Sequence, residues 1–284
     1  MRTLKELLKN ARFSVGAAIL LVLAVLAVLS FLSPYDPTEW RVVRRDMPPS
    51  WEHPLGTNSM GQDVFWRLTF AIRNSLLVAF MAAAISRTIA VTVGLVAGYM
   101  GGLVDRVLMF INDGFIVLPL LLVLVLLAML IQEHMNLVTM AVLFGVMGWA
   151  LDARFIRTQV LSLRERGFTA SAVLTGIPTR KLIFNEYLPF ITPLALATLI
   201  GNMIWVIGME ITLAYLGLSD VTIPTLGTML HFAINHQAIL LGLWWWIFAP
   251  IGAAVALFVA LYLVFVSVSI YLDPRARIQR VGAR

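Results

Sequence analysis

Apolar residues in this sequence fall in long runs. Six stand out, at residues 13–33, 75–100, 106–131, 137–151, 190–213 and 243–270, the fourth being the shortest. About 20 apolar residues in helical conformation cross the roughly 30 Å hydrocarbon core of a bilayer. Within that core each backbone N–H and C=O must be paired inside its own segment, which predicts helices for all six runs and excludes open strands. A β-barrel is also excluded, because its strands would alternate apolar and polar residues in short segments. The fold class expected is therefore all-α, a polytopic membrane bundle of six transmembrane helices.

Composition supports the bilayer as solvent: 60% of the 284 residues are apolar, 13% are charged, and the mean hydropathy is +0.90. A soluble chain carries about a quarter charged residues. The absence of cysteine excludes disulfides, thiolate metal sites and cysteine nucleophiles. A formal charge of +6 raises the question of nucleic acid, but the placement of the charge answers it. With the N-terminus inside, fifteen Lys and Arg residues lie at cytoplasmic positions and five (Arg41, Arg44, Arg45, Arg67, Arg73) lie outside. That asymmetry predicts both termini in the cytoplasm. The first run is longer than a signal-peptide core and ends in Ser33-Pro34-Tyr35-Asp36-Pro37 without a small-x-small cleavage site, so it is expected to be an uncleaved span. Ahead of it, Leu4, Leu7, Leu8 and Phe13 interleave with Arg2, Lys5, Lys9 and Arg12, the pattern of an interfacial helix or of a frayed basic tail.

Three connecting segments exceed a simple turn: 34–74 and 214–242 outside, and 152–189 in the cytoplasm. In the last, residues 168–174 are small and apolar enough for two helical turns. Gly176 suits the left-handed position after a helix end, and Pro178 stops continuation. A second helix is expected from Thr179 to Leu188-Pro189. A short helix with a sharp corner, held between two spans, is either an ordinary hairpin or a lever that moves both spans when gripped.

This segment resembles the docking loop of ABC-importer permeases, which carries a Glu-Ala-Ala then Gly signature followed by Leu-Pro. Ala170, Ser171 and Ala172 stand at the three signature positions, Gly176 at the glycine, and Leu188 and Pro189 at the closing pair; Arg164, Arg166 and Phe168 precede them. The glutamate of that signature is replaced by Ala170. A second stretch, His53-Pro54-Leu55-Gly56-Thr57-Asn58-Ser59-Met60-Gly61-Gln62-Asp63, is similar to the outward loop of the dipeptide and oligopeptide permease family. It departs from that pattern at Asn58, where an acidic residue is usual, and at Gln62, where arginine is usual. Further matches follow in order at Gly98 to Gly102, Leu213 to Leu218, Pro224 to Leu230, Trp244-Trp245 and Leu272 to Arg275.

The resemblance implies a type I ABC importer permease in the inner cell membrane, and three regions. These are residues 1–74 (N-terminal helix, first span and outward loop), 75–270 (permease core with the coupling loop 152–189) and 271–284 (basic cytoplasmic tail). It implies a homologous second permease, two ATPase subunits that bind ATP and Mg, and an external solute-binding protein. Peptides are the cargo it implies first, with oligosaccharides or nickel as alternatives. The sequence contains no Gly-x-x-x-x-Gly-Lys-Ser/Thr run, so no nucleotide cofactor and no catalysis are expected of this chain itself.

Charged residues inside spans cost at least about 2.5–3.5 kcal/mol at the helix centre and are usually paired or functional. Glu210, Arg87 and Asp113 are accordingly candidates for the translocation path. Asp113 is the partner expected for Arg87, and an interfacial helix end is the other reading of Glu210. His231 and His236 lie five apart without a third ligand, so no metal site is expected. The Trp244 to Trp246 run reads as an interfacial anchor. An ion-coupled secondary transporter, the competing class, would show ionisable residues near the midplane and an internal repeat; only Arg87 is central, and no repeat is evident.

Overall fold

The computed structural model describes Leu7 and residues 10–272. The expectations for the basic N-terminal segment and the tail fall almost wholly outside the described residues. The structure is helical, and the one β pairing among the described residues is a single antiparallel bridge between Thr57 and Asp63. Helix α1 is Ala11–Leu29, followed by a 3-10 turn at Ser30–Leu32. Helix α2, Val64–Met100, has 37 residues and is about 55 Å long at 1.5 Å per residue, so it outreaches the hydrocarbon core.

Next come α3 (Gly102–Val117) and α4 (Leu120–Leu130), which meet at 85°, and then α5 (Leu137–Met147) and α6 (Ala150–Arg164), which meet at 48°. Helix α7 is Gly167–Leu174 and α8 is Thr179–Leu182. A π-helical turn at Ile183–Tyr187 then leads into α9, Leu188–Tyr215. Helices α10 (Leu226–Asn235) and α11 (Trp244–Leu272) complete the chain. Four segments are long and apolar enough to cross a membrane, and the two bent pairs bring the total to six.

Several boundaries differ from those read in the sequence. The outward loop ends at residue 63, because the Asp63 carboxylate caps α2 by accepting from the Trp66 N–H at 3.0 Å; residues 64–74 are already helical. Residues 152–164 are helical and belong to α6. The helix beginning at Thr179 does not stop at Leu188-Pro189 but runs unbroken to Tyr215. Pro189 lacks an N–H, and its ring crowds the carbonyl four residues back; the π turn widens the helix at that carbonyl and lets it continue. The breaks at Leu118-Pro119 and Gly148-Trp149 lie inside two of the apolar runs. Pro119 ends α3 by disfavouring a helical residue before it.

The core is built on close approach to α2. A Cβ built on Gly94 would lie 2.7 Å from Ala153 O, and one on Gly98 would lie 2.7 Å from Val160 Cβ. With Ala90, fully buried, these form a small-residue stripe at four-residue spacing against α6. On the other side, Gly145 of α5 seats against Ile85. Helices α1 and α11 meet at Gly16, which sits against the backbone of Ala260.

The tryptophan run is not an interfacial anchor as a whole. Trp244 is exposed, but Trp246 is fully buried and Trp245 nearly so, its Nε1 donating to Thr57 O at 3.1 Å. Their burial follows from α11 starting beneath the 34–63 loop.

Candidate functional site

At one end of α2 the chain forms α7. Thr169 Oγ1 donates to Leu163 O at 2.9 Å, its oxygen also lies 3.1 Å from the Tyr187 hydroxyl, and Ala172 is buried. Phe168 stacks on Phe190 (6.0 Å) and meets Tyr187 edge-on, while Arg166 lies over the Phe190 ring. These contacts fasten one side of α7 to α6 and to the π turn. The opposite side, with Ser171, Leu174 (87% exposed), Thr175 and Gly176, is free. Arg164 and Arg166 are exposed beside it, as are Leu174 and, after the corner, Ile177.

The corner is made by Gly176 at φ +74°, with Ile177 N–H donating to Ala172 O at 3.0 Å. Pro178 precedes α8, and Leu188 with Pro189 lie where the π turn joins α9. Of the candidate residues, Ser171 and Gly176 lie on the exposed side with Arg164 and Arg166 beside it, Phe168 and Ala172 lie on the fastened side, the Ala170 side chain lies outside the described residues, and Leu188 and Pro189 stand one helix away.

At the other end of α2 lies a platform made from residues 34–63 and α10. His53 Nδ1 donates to Asp63 Oδ2 at 2.6 Å, and the Asp63 side chain is fully buried. Thr57 Oγ1 accepts from Met47 N–H and donates to Arg44 O. Gly56 turns at φ +67°, with room for no Cβ because Met47 O and Trp245 Nε1 stand 2.6 and 2.7 Å from that position; Pro54 and Leu55 lead into it. Gly61 turns at φ +73° against the Arg41 backbone. The motif thus acts as a clasp between loop, α2 and α11.

The two departures from the family pattern face each other. Asn58 Nδ2 donates to Gln62 Oε1 at 3.1 Å, Asn58 Oδ1 accepts from the Met60 and Gln62 N–H groups, and Gln62 Nε2 donates to Glu39 O. A neutral amide pair stands here where an acid and an arginine are usual, so one change matches the other.

Glu210, Arg87 and Asp113 are not brought together. Arg87 pairs with Asp152 of α6 (Nη2 to Oδ2, 2.8 Å) and not with Asp113, because α6 extends helically through 152 beside α2. Asp113 is half-exposed and pairs with Arg154. Arg157 holds Asp105 through two bonds of 2.5 and 2.6 Å, a third α3–α6 or α2–α6 ion pair. Glu210 is not at an interfacial helix end: it is fully buried under α10, accepting from Ser75 Oγ at 3.2 Å, while Ser75 Oγ in turn accepts from Leu226 N–H.

Gly227 is what allows this. A Cβ there would lie 2.5 Å from Ala214 Cβ and 2.9 Å from both Glu210 Oε1 and the Ile211 backbone. Gly227→Ala is therefore expected to lift α10 and destabilise the fold by about 1–3 kcal/mol, the usual cost of overpacking. Thermal unfolding in detergent would test this, and an unchanged midpoint would contradict it.

Among the described residues no group of three His, Cys, Asp or Glu side chains could hold a metal. His231 instead bridges Tyr215 O and Asn235, and His236 packs near Trp246.

Sequence reading missed one feature altogether. The two helix breaks border a cavity of about 480 Å³ whose wall includes Phe115, Met147, Asp152, Asn202, Trp205 and Phe265. Asn112 Nδ2 donates to Ala150 O and Asn202 Nδ2 to Gly148 O, so two amides from different helices clasp the α5–α6 break. A glycine and a tryptophan in an apolar run, flanked by asparagines on neighbouring spans, were the available signal.

Residues 90–278 match the family model described as "Binding-protein-dependent transport system inner membrane component". The oligopeptide transport system permease protein OppC of Mycobacterium tuberculosis (strain ATCC 25618 / H37Rv) is 30% identical over 276 residues, covering 94% of this chain and 91% of that protein. The dipeptide transport system permease protein DppC of Bacillus subtilis (strain 168) is 34% identical over 248 residues, 87% of this chain and 76% of that protein. The OppC protein of the same B. subtilis strain is 30% identical over 212 residues, 74% and 69%.

Proposed function

We propose, on the premise that this chain belongs to the family of binding-protein-dependent transport system inner membrane components, that it is the permease subunit of an ATP-driven importer of peptides. The observation that carries the proposal is α7: a short helix fastened along one side, exposed along the other, and joined through a single left-handed glycine to the 37-residue helix Thr179–Tyr215. An ATPase gripping the exposed side displaces α6 and the long helix as rigid bodies. The platform at the opposite end of α2 is the receiving surface for a solute-binding protein.

In this reading a second permease completes the path and two ATPases hydrolyse ATP, since this chain carries no phosphate-cradling loop of its own. In this reading α7 lies on the cytoplasmic face of the inner membrane, which the basic residues around it support. Residues 75–270 form the permease core, with the coupling element inside them, 1–74 the first span and outward platform, and 271–284 a basic tail. Peptide cargo is taken from the names of the relatives; oligosaccharides or nickel are the alternatives that a cargo screen separates.

Affinity purification from the native membrane in mild detergent is expected to recover an ATPase and a second permease, identified by mass spectrometry. Recovery of this chain alone, or only with copies of itself, would overturn the proposal.

A further inference from the structure

The cavity at the two helix breaks plays no part in the docking geometry. Its wall is aromatic and apolar where Phe115, Trp205 and Phe265 supply it, and polar only where Asp152, Thr198 and Asn202 stand. The hydroxyl proton of Thr198 and one of the two amide protons of Asn202 are committed within the protein. Asn202 uses its N–H on Gly148 O, and its Oδ1 has no partner among the described residues. Thr198 donates its hydroxyl proton to the Leu194 and Ala195 carbonyls. Asp152 accepts from Arg87 through Oδ2 alone.

Against these acceptors the wall sets neutral donors alone, the indole N–H of Trp205 and the second amide proton of Asn202, so its one formal charge is the Asp152 carboxylate. Its ion pair is also oriented: the Asp152 side chain is 22% exposed and forms part of the wall, whereas that of Arg87 is 7% exposed and does not. Arg87 Nε and Nη1 lack partners among the described residues too, but both are buried and Arg87 is not part of the wall. The negative end of the pair faces the cavity.

We propose that this cavity is a solute-contact site and that it takes the free ammonium group of a solute with an apolar body, the N-terminus of an apolar peptide. The ammonium supplies the positive charge and the donors that complement the Asp152 carboxylate, and the aromatic side chains cover the body. The peptide as source rests on the transport reading above; the cation preference of the cavity does not.

The absence of cysteine from the chain makes a direct test possible. Gly201 lies in the wall, and a Cβ there meets only the Phe265 ring, at 3.4 Å, so Gly201→Cys fits. In membrane vesicles carrying the whole assembly, this thiol is labelled with methanethiosulfonates bearing either a trimethylammonium or a sulfonate group, and the mass shift of this chain is followed. The cationic reagent is expected to react about tenfold faster, the size of effect a partly screened charge produces at such range. An apolar dipeptide with a free N-terminus should slow the labelling, and its N-acetylated form should not.

Adding Asp152→Asn leaves Arg87 as the nearest charge and should reverse the preference between reagents. If that variant does not reach the membrane, the Gly201→Cys chain alone decides. Equal rates for the two reagents, no reaction with either, or equal protection by both dipeptides would overturn the proposal. A complete assembly that fails to import peptide, yet keeps the cation preference at Gly201→Cys, would overturn the transport reading and leave the chemistry of the cavity standing.

Discussion

Valine in place of Gly176 is expected to abolish peptide uptake by the assembled importer while leaving the chain in the membrane at close to its normal level. The site has no steric role, since a Cβ there meets nothing within 4 Å. The cost is in the backbone alone: φ is +74°, where an L-residue loses about 1–2 kcal/mol and a β-branched one more. A penalty of that size at an exposed corner does not unfold the helical bundle. It is relieved by rotating the corner, which breaks the Ile177 N–H to Ala172 O bond and turns α7 away from the helix beginning at Thr179.

ATP hydrolysis should then continue without solute movement. Asparagine tolerates the left-handed region, so Gly176→Asn should keep most of the uptake and separate backbone conformation from side-chain loss. Uptake and hydrolysis measured together in proteoliposomes provide the test; normal uptake by Gly176→Val would end the lever reading.

Arg87→Leu is expected to have the largest effect on stability. It strands the Asp152 carboxylate in the membrane interior without its partner, and removing one member of a buried pair typically costs about 3–5 kcal/mol. The level of folded chain in the membrane should fall severalfold. Arg87→Leu combined with Asp152→Leu should recover much of the loss, because replacing both charges with apolar groups is often neutral. A double-mutant cycle on thermal unfolding in detergent reads the coupling directly. If the two losses simply add, the pair contributes nothing as a pair.

The spans could be read in the sequence because each is an apolar run, and so could the corner, because glycine followed by proline two residues later admits few alternatives. The breaks could not. Leu118-Pro119 and Gly148-Trp149 lie inside apolar stretches, and at the second break the carbonyls of Ala150 and Gly148 are met by Asn112 and Asn202 from neighbouring helices, a pairing that only the fold brings together. The partner of Arg87 was hidden for a related reason. Asp152, Arg154 and Arg157 look like the start of a loop, and only the structure shows them as one helix whose charges are each matched by α2 or α3.

Glu210 illustrates the opposite error. Its position near a helix end suggested water, but α10, capped by Thr225 and Thr228, folds back over it. Asn58 and Gln62 looked like two independent departures until they proved to be hydrogen-bonded to each other.

The seam of Ala90, Gly94 and Gly98 brings α2 and α6 to backbone contact, and α2 carries the platform at one terminus while α6 carries α7 at its end. Two helices packed that closely cannot slide past each other without collision, so they act as a single stiff rod some 55 Å long. Thermodynamic linkage then requires reciprocity: whatever binding energy at α7 shifts the rod, a protein seated on the platform must alter the affinity at α7 by the same factor.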